Sequence, residues 1–271
     1  MYSLNQKVVV ISGASSGIGL GLAKLALAKG AKVAVCARNR EKLEEALSKE
    51  DASRLLFVQA DVSQEADCKQ FIEAVIAQWQ TIDVFIANAG ISMRALFKDA
   101  GLKVIRELMD VNFWGTVNCT KYALPYIIEQ KGVILGVSSI AGYRGLPART
   151  GYSASKHAMQ GFLEALRTEM LYSGVHVMWV SPGFTASNIR NVARGADGKS
   201  QQETPLEESK LMSAEKCAAI IISGIEQKKR SIVMTGQGKL AVWMNKLWAG
   251  MADKLVYKHF AKEPNSPLKL P

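Results

Sequence analysis

The feature that most constrains this chain is an alternation of short, β-branched apolar runs with helical stretches. Residues 7–12 (KVVVIS), 32–37 (KVAVCA), 55–59, 83–87 (DVFIA), 133–138 and 175–181 are apolar on both faces. A strand reads this way when helices cover both sides of a parallel sheet. Helical patterns fill the intervals at 17–29, 40–49, 64–79, about 103–129 and about 152–172, and a helix at 214–227 precedes a last short strand at 231–235. With right-handed crossovers, this order implies an α/β fold: one doubly wound parallel sheet of about seven strands, helices on both faces, and a ligand crevice at the carboxyl ends of the strands. The 271 residues suffice for a catalytic domain over 1–235, with a substrate loop at 184–210, and a helical extension of the same domain over 236–271.

The first strand runs into Ser12-Gly13-Ala14-Ser15-Ser16-Gly17-Ile18-Gly19 and then a helix. Glycines let the backbone turn sharply and approach a pyrophosphate, and the helix start offers free N–H groups and partial positive charge. A tight turn alone would explain a glycine-rich stretch. Its place between strand and helix points instead to a Rossmann-type dinucleotide loop. The second strand ends in Cys36-Ala37-Arg38-Asn39, without the acid that binds a ribose 2′-hydroxyl. Arg38 stands where a guanidinium would pair with a 2′-phosphate, which favours NADP, with NAD the alternative and a solvated surface charge the bland reading.

Tyr152-Ser-Ala-Ser-Lys156 opens a helix and places phenol and ammonium one turn apart on one face. A phenol is a poor acid at neutral pH, and neighbouring positive charge favours its ionised form. Such a pair can pass a proton to a carbonyl oxygen as hydride reaches the carbon. Ser139, at the end of the fifth strand, can donate a hydrogen bond to that oxygen, while Ser138 points to the other face. Tyr, Ser and YxxxK each also occur by chance.

Together these residues give the chain its resemblance to the short-chain dehydrogenase/reductase family, NADP-preferring group, over residues 7 to about 235. The stretch from Ser12 to Gly19 is similar to the family's TGxxxGIG, with Ser12 in place of Thr. Asp61-Val62 is similar to the pair used on the adenine, and Asn88-Ala89-Gly90 to the NAG that ends the fourth strand. Asn112 in VNFWGT is similar to a helix asparagine that helps organise a proton relay through water and lysine. Pro182-Gly183 with Ser187 is similar to the PGxxx(S/T) beside the nicotinamide. The resemblance implies a cofactor held by Gly13, Ser15, Ser16, Gly17, Ile18, Gly19, Arg38, Asp61, Val62, Asn88, Ala89, Gly90, Tyr152, Lys156, Pro182, Gly183 and Ser187. It implies Tyr152 as acid/base, Lys156 lowering the phenol's pKa and binding the ribose, Ser139 orienting the substrate oxygen and Asn112 supporting the relay. It also implies a homodimer or homotetramer through helices near 103–129 and 152–172.

Net charge is +10, and residues 228–271 carry nine Lys/Arg against Asp253 and Glu263 alone. In that tail Leu240, Trp243, Met244, Leu247, Trp248, Met251 and Leu255 recur at helical spacing, with Lys239, Lys246, Lys254 and Lys258 beside them. Such a helix packs over the substrate pocket or a partner subunit, or else lies on an anionic membrane. It loosely resembles the C-terminal extension of reductases of steroids and long-chain keto-lipids. Interleaved exposed aromatics of a nucleic-acid platform are lacking, so no nucleic-acid partner is expected. Cys36, Cys68, Cys119 and Cys217 are far apart and read as buried reduced thiols, with no metal site. No secretory signal is legible and no apolar run reaches about eighteen residues, so the expectation is a cytoplasmic protein, with peripheral membrane contact as the variant. His157 reads as structural, and His176 and His259 read as ordinary. The leading function is NADP-dependent reduction of a bulky apolar ketone, in a pocket expected from 91–97, 140–147 and 184–209, with 191–209 as a lid. The competitors are an NAD-linked dehydrogenase of a small polar alcohol and a non-catalytic dinucleotide sensor. A sensor would be expected to lack Tyr152, Lys156 or Ser139.

Overall fold

A computed structural model describes residues 2–186, 188–202, 204 and 211–269. In chain order the elements are β1 (Val8–Ser12), α1 (Gly17–Ala28), β2 (Lys32–Ala37), α2 (Arg40–Ala46), β3 (Leu55–Gln59), α3 (Glu65–Trp79), β4 (Val84–Ala87), α4 (Leu102–Met109), α5 (Gly115–Glu129), β5 (Val133–Val137), α6 (Thr150–Glu169), β6 (His176–Ser181), α7 (Ala214–Glu226), β7 (Ser231–Val233), α8 (Gly236–Leu247) and α9 (Ala249–Ala261). The strands form one seven-stranded parallel sheet in the order β3-β2-β1-β4-β5-β6-β7. Strand order reverses between β1 and β4, which opens the ligand crevice above that pair.

Alternation along each strand divides the interior into two cores. Val8 and Val10 pack with Phe71, Leu108 and Leu163 on one face, while Val9 and Ile11 pack with Leu22, Ala26 and Ile221 on the other. The central strands are tied at both ends. At the foot, Asp83 accepts from the Val8 N–H (2.9 Å) and from Lys7 Nζ (2.8 Å). At the crevice, Ser12 Oγ accepts from the N–H groups of Asn88 and Ala89, each at 3.1 Å. A serine in place of threonine therefore suffices for that lock.

The structure departs from the periodicity in two places. The single helix expected over 103–129 is interrupted between α4 and α5 by a π-helical turn, Asp110–Trp114. One widened turn leaves the apolar spacing on either side intact and so is silent in the pattern. The tail is two helices rather than one, because Trp248 leaves helical geometry (φ −139°, ψ 58°) and α9 folds back. At the start of α8, Gly238 packs on Ile140, where a Cβ would lie 2.6 Å from Ile140 Cδ1.

Candidate active site

The turn after β1 is shaped for close approach. Gly13 has φ +72°, and a Cβ there would lie 2.6 Å from Ala89 Cα. A Cβ on Gly19 would lie 2.3 Å from the Gly13 carbonyl oxygen and 2.4 Å from Asn88 Nδ2, which itself donates to the Ser12 and Gly13 carbonyls (3.0 and 2.8 Å). Ser16 begins α1 without a side-chain cap, so the first N–H groups of that helix are left for another acceptor. A continuous cavity of about 1020 Å³ passes this turn, from Arg38, Lys42 and Asp61, along Asn88–Ala89–Gly90, to Tyr152 and the tail. An uncapped helix start and glycines too crowded for side chains fit a dinucleotide. Ser15, Ser16, Gly17, Ile18, Val62, Pro182 and Gly183 also line the cavity, whereas Ser187 lies outside the described residues. The Asp61 carboxylate accepts from the N–H and hydroxyl of Ser63 (3.0 and 2.8 Å), which fixes the turn after β3.

α6 carries Tyr152 and Lys156 at its first turns, and Ser139 starts the turn after β5. Ser139 Oγ accepts from the Ala141 N–H (3.1 Å) and, like Tyr152, lines the cavity. Burial pushes the Tyr152 phenol above its ordinary pKa; the nearby Ser139 hydroxyl and the positive charges of Arg149 and Arg190 oppose this. Burial also pulls Lys156 down to about 8. Its ammonium donates to the Val137 carbonyl (2.9 Å) and lies 5.9 Å from the Tyr152 ring centroid. Arg149 and Arg190 add positive charge near the phenol, while the Lys156 ammonium is held at the end of β5. Asn112 sits in the π-helical turn, fully buried, with Oδ1 accepting from the Ile91 N–H (2.8 Å) and Nδ2 donating to the Ile91 carbonyl (3.0 Å) and Ser155 Oγ (2.9 Å). Its side chain holds the end of β4 against α6. Ser138 faces away, accepting from Gln160 Nε2 at 2.8 Å.

Beyond Tyr152 the cavity is walled by the tail, with Leu240, Met244, Leu255 and Phe260 facing Ile91, Leu146 and Phe184. Phe97, expected in this wall, is instead 61% exposed, because the chain turns outward into α4. Residues 191–202 of the expected lid bridge to the segment after β4, with reciprocal bonds of 2.8 Å from the Arg194 N–H to the Ser92 carbonyl and from the Arg94 N–H to the Arg194 carbonyl. Residues 203 and 205–209 lie outside the described residues. His259 does line the cavity and stacks on Phe184 (6.4 Å, 23°), whereas His157 and His176 bond backbone carbonyls. All four cysteines are free and buried, and no metal-binding group of side chains occurs among the described residues.

Residues 7–197 match the family model described as short chain dehydrogenase. The chain belongs to the short-chain dehydrogenase family. It is 34% identical to dehydrogenase/reductase SDR family member 7B of Mus musculus, across 97% of this chain and 84% of that protein. Its fold is shared with a short-chain dehydrogenase/reductase from Burkholderia phymatum in complex with NAD (TM-score 0.82, 19% identity, 100% of this chain and 99% of that one). It is also shared with a short-chain dehydrogenase from Burkholderia cenocepacia J2315 in complex with NADP (TM-score 0.79, 22% identity, 94% and 99%). The protein is accordingly an oxidoreductase acting on CH–OH groups with NAD(P). Within this dehydrogenase, sequence reasoning missed Lys42 and Arg149, and it held Arg144 and Arg190 only as unnamed members of the pocket stretches 140–147 and 184–209. Arg149 alone left a signal: it stands one helical turn ahead of Tyr152. The others reach the cavity from segments whose approach is set by the fold.

Proposed function

We propose that the protein is an NADP-dependent reductase of a bulky apolar ketone, with Tyr152 as proton donor. The observation that carries this reading is the convergence of the Tyr152 and Ser139 hydroxyls where the glycine-lined and apolar halves of one cavity meet. When bound, the nicotinamide supplies hydride to the carbonyl carbon. Tyr152 delivers its proton to the carbonyl oxygen, and Ser139 donates a hydrogen bond to the same atom. Arg149 and Arg190 favour the phenolate left behind. Lys156 is placed to hold the cofactor ribose, Asn112 keeps Ile91 and α6 in register, and Gly13, Gly19 and the start of α1 receive the pyrophosphate.

Arg38 and Lys42 at the adenosine end, with no acid after β2, support the 2′-phosphate over a free ribose. Titration of NADPH and NADH against protein fluorescence tests this. Tighter binding of NADH would return the reading to an NAD-linked alcohol dehydrogenase. A ketone panel graded by size, run with the wild type and Tyr152→Phe, tests the chemistry; undiminished turnover by the variant would sink it.

The tail supports a second reading, contact with an anionic bilayer. Trp243, Leu247, Trp248 and Met251 are each between 49% and 56% exposed, and Lys239, Lys246, Lys254 and Lys258 are exposed beside them. No helix among the described residues is long and apolar enough to cross a membrane. Sedimentation with vesicles containing phosphatidylserine, against neutral vesicles, tests the contact. Binding to neither, with a concentration-dependent dimer, would give this face to a second copy of the chain.

A further inference from the structure

The tail closes the substrate half of the cavity through one buried carboxylate. Glu263, just past the end of α9, has a side chain only 5% exposed. It receives Arg149 Nη2 on both oxygens, at 2.9 and 3.0 Å, and lies 3.5 Å from Arg94 Nε. Arg94 Nη2 also donates to the Pro264 carbonyl, and the Arg149 guanidinium sits 4.5 Å over the Phe260 ring. Three segments distant in sequence meet here: the stretch after β4, the start of α6 and the stretch after α9. The other strap, from Arg144 to Asn245 and Asp253, is weaker in kind, because Asp253 is 66% exposed and solvent screens that pair. Losing one partner of a buried pair costs far more.

The same guanidinium has a second neighbour. Arg149 lines the cavity three residues before Tyr152 and adds positive charge near the phenol. Glu263 is the only carboxylate paired with it among the described residues.

We propose that Glu263 is a positioning residue of the reaction: it holds α9 as the wall of the substrate cavity and, through Arg149, sets the positive charge beside Tyr152. The second half of this proposal rests on Tyr152 being the proton donor; the first half does not. Other charged or polar groups near the phenol are Ser139 from the turn after β5, Lys156 from α6 itself and Arg190 from the segment after β6, and Arg144 and His259 line the same cavity.

Two measurements on the full chain test it. The first is amide hydrogen exchange with no substrate added. Glu263→Gln should speed exchange across α9 at least tenfold while leaving β1 and α1 as in wild type, and Glu263→Asp should restore most of the protection. Unchanged exchange in α9 would overturn the latch. The second is NADPH-dependent reduction of benzil across pH. Glu263→Gln should raise KM more than it lowers kcat. It should also move the alkaline limb, where Tyr152 loses its proton, to lower pH by about half a unit, because negative charge leaves the site. Arg149→Gln should move that limb to higher pH, since Arg94 still holds Glu263 while a positive charge is gone. A merely structural role would release the tail in both variants, expose the phenol and move both limbs the same way; that result, or no shift in either, would overturn the charge role. A wild type that reduces no carbonyl compound would defeat the proposed function and the charge role with it, leaving hydrogen exchange to decide the latch.

Discussion

The two halves of the cavity are built by different means. The cofactor half is made of main chain: strand ends, the glycine turn and the start of α1, locked by Ser12 and Asn88 at distances of 2.8–3.1 Å. The substrate half is made of side chains from remote segments, with α8 and α9 held by three arginines on the carboxylates of Glu263 and Asp253 and presenting half-exposed Trp243, Leu247 and Trp248 outward. Backbone contacts of the first kind tolerate almost no added atom. Side-chain contacts of the second kind can be exchanged while the sheet stays intact, which suits a wall that must match one substrate.

The contrast breaks most sharply at the seam. Tyr152→Phe removes a proton donor without touching the glycine turn, so kcat should fall roughly 10²–10⁴-fold with cofactor affinity unchanged, as read by fluorescence titration. Within the cofactor half, Gly19→Ala forces a methyl onto the Gly13 carbonyl and Asn88. Denaturant melts should show about 1–3 kcal/mol of lost stability, together with weakened binding of NADPH and NADH alike. Arg38→Ala should leave stability and NADH affinity alone while weakening NADPH about 10–100-fold; equal loss for both cofactors would remove Arg38 from the 2′-phosphate.

A pH effect comes next in size. Burial lowers the folded-state pKa of Lys156 to about 8, so between that value and its ordinary range the unfolded chain binds more protons. Stability should therefore rise with pH there, by at most about 1.4 kcal/mol per pH unit, and Lys156→Met should flatten the slope in pH-dependent melts. The smallest effect belongs to the outer face of the tail. Trp243→Ser should change stability by less than about 0.5 kcal/mol while lowering sedimentation with anionic vesicles.

The cofactor half was nearly all legible because its determinants are local. A β-branched run, three glycines at fixed spacing and a helix start lie within residues 7–29, and Asn88-Ala89-Gly90 directly follows its strand. Tyr152 and Lys156 were legible for the same reason, being one turn apart. Arg149 was half legible: its place ahead of Tyr152 could be read, its partner could not. Glu263 and Arg94 bear no pattern relation to Arg149, being separated from it by over a hundred and over fifty residues. The break at Trp248 was silent because Trp243, Leu247 and Met251 keep helical spacing straight through it. His259 read as ordinary because a histidine shows its surroundings only once α9 lies over Phe184.

By itself, the sequence determined the doubly wound sheet, the crevice at the ends of β1 and β4 and the Tyr152–Lys156 pair, since periodicity, glycine conformation and helical spacing act over a few residues. Tertiary structure alone decided that Lys156 turns to Val137, that Arg149 and Arg190 reach the same cavity as the phenol, and that the tail folds back to wall that cavity. Those outcomes depend on distances between segments far apart in the chain, and on burial, which removes the water that would otherwise screen each charge.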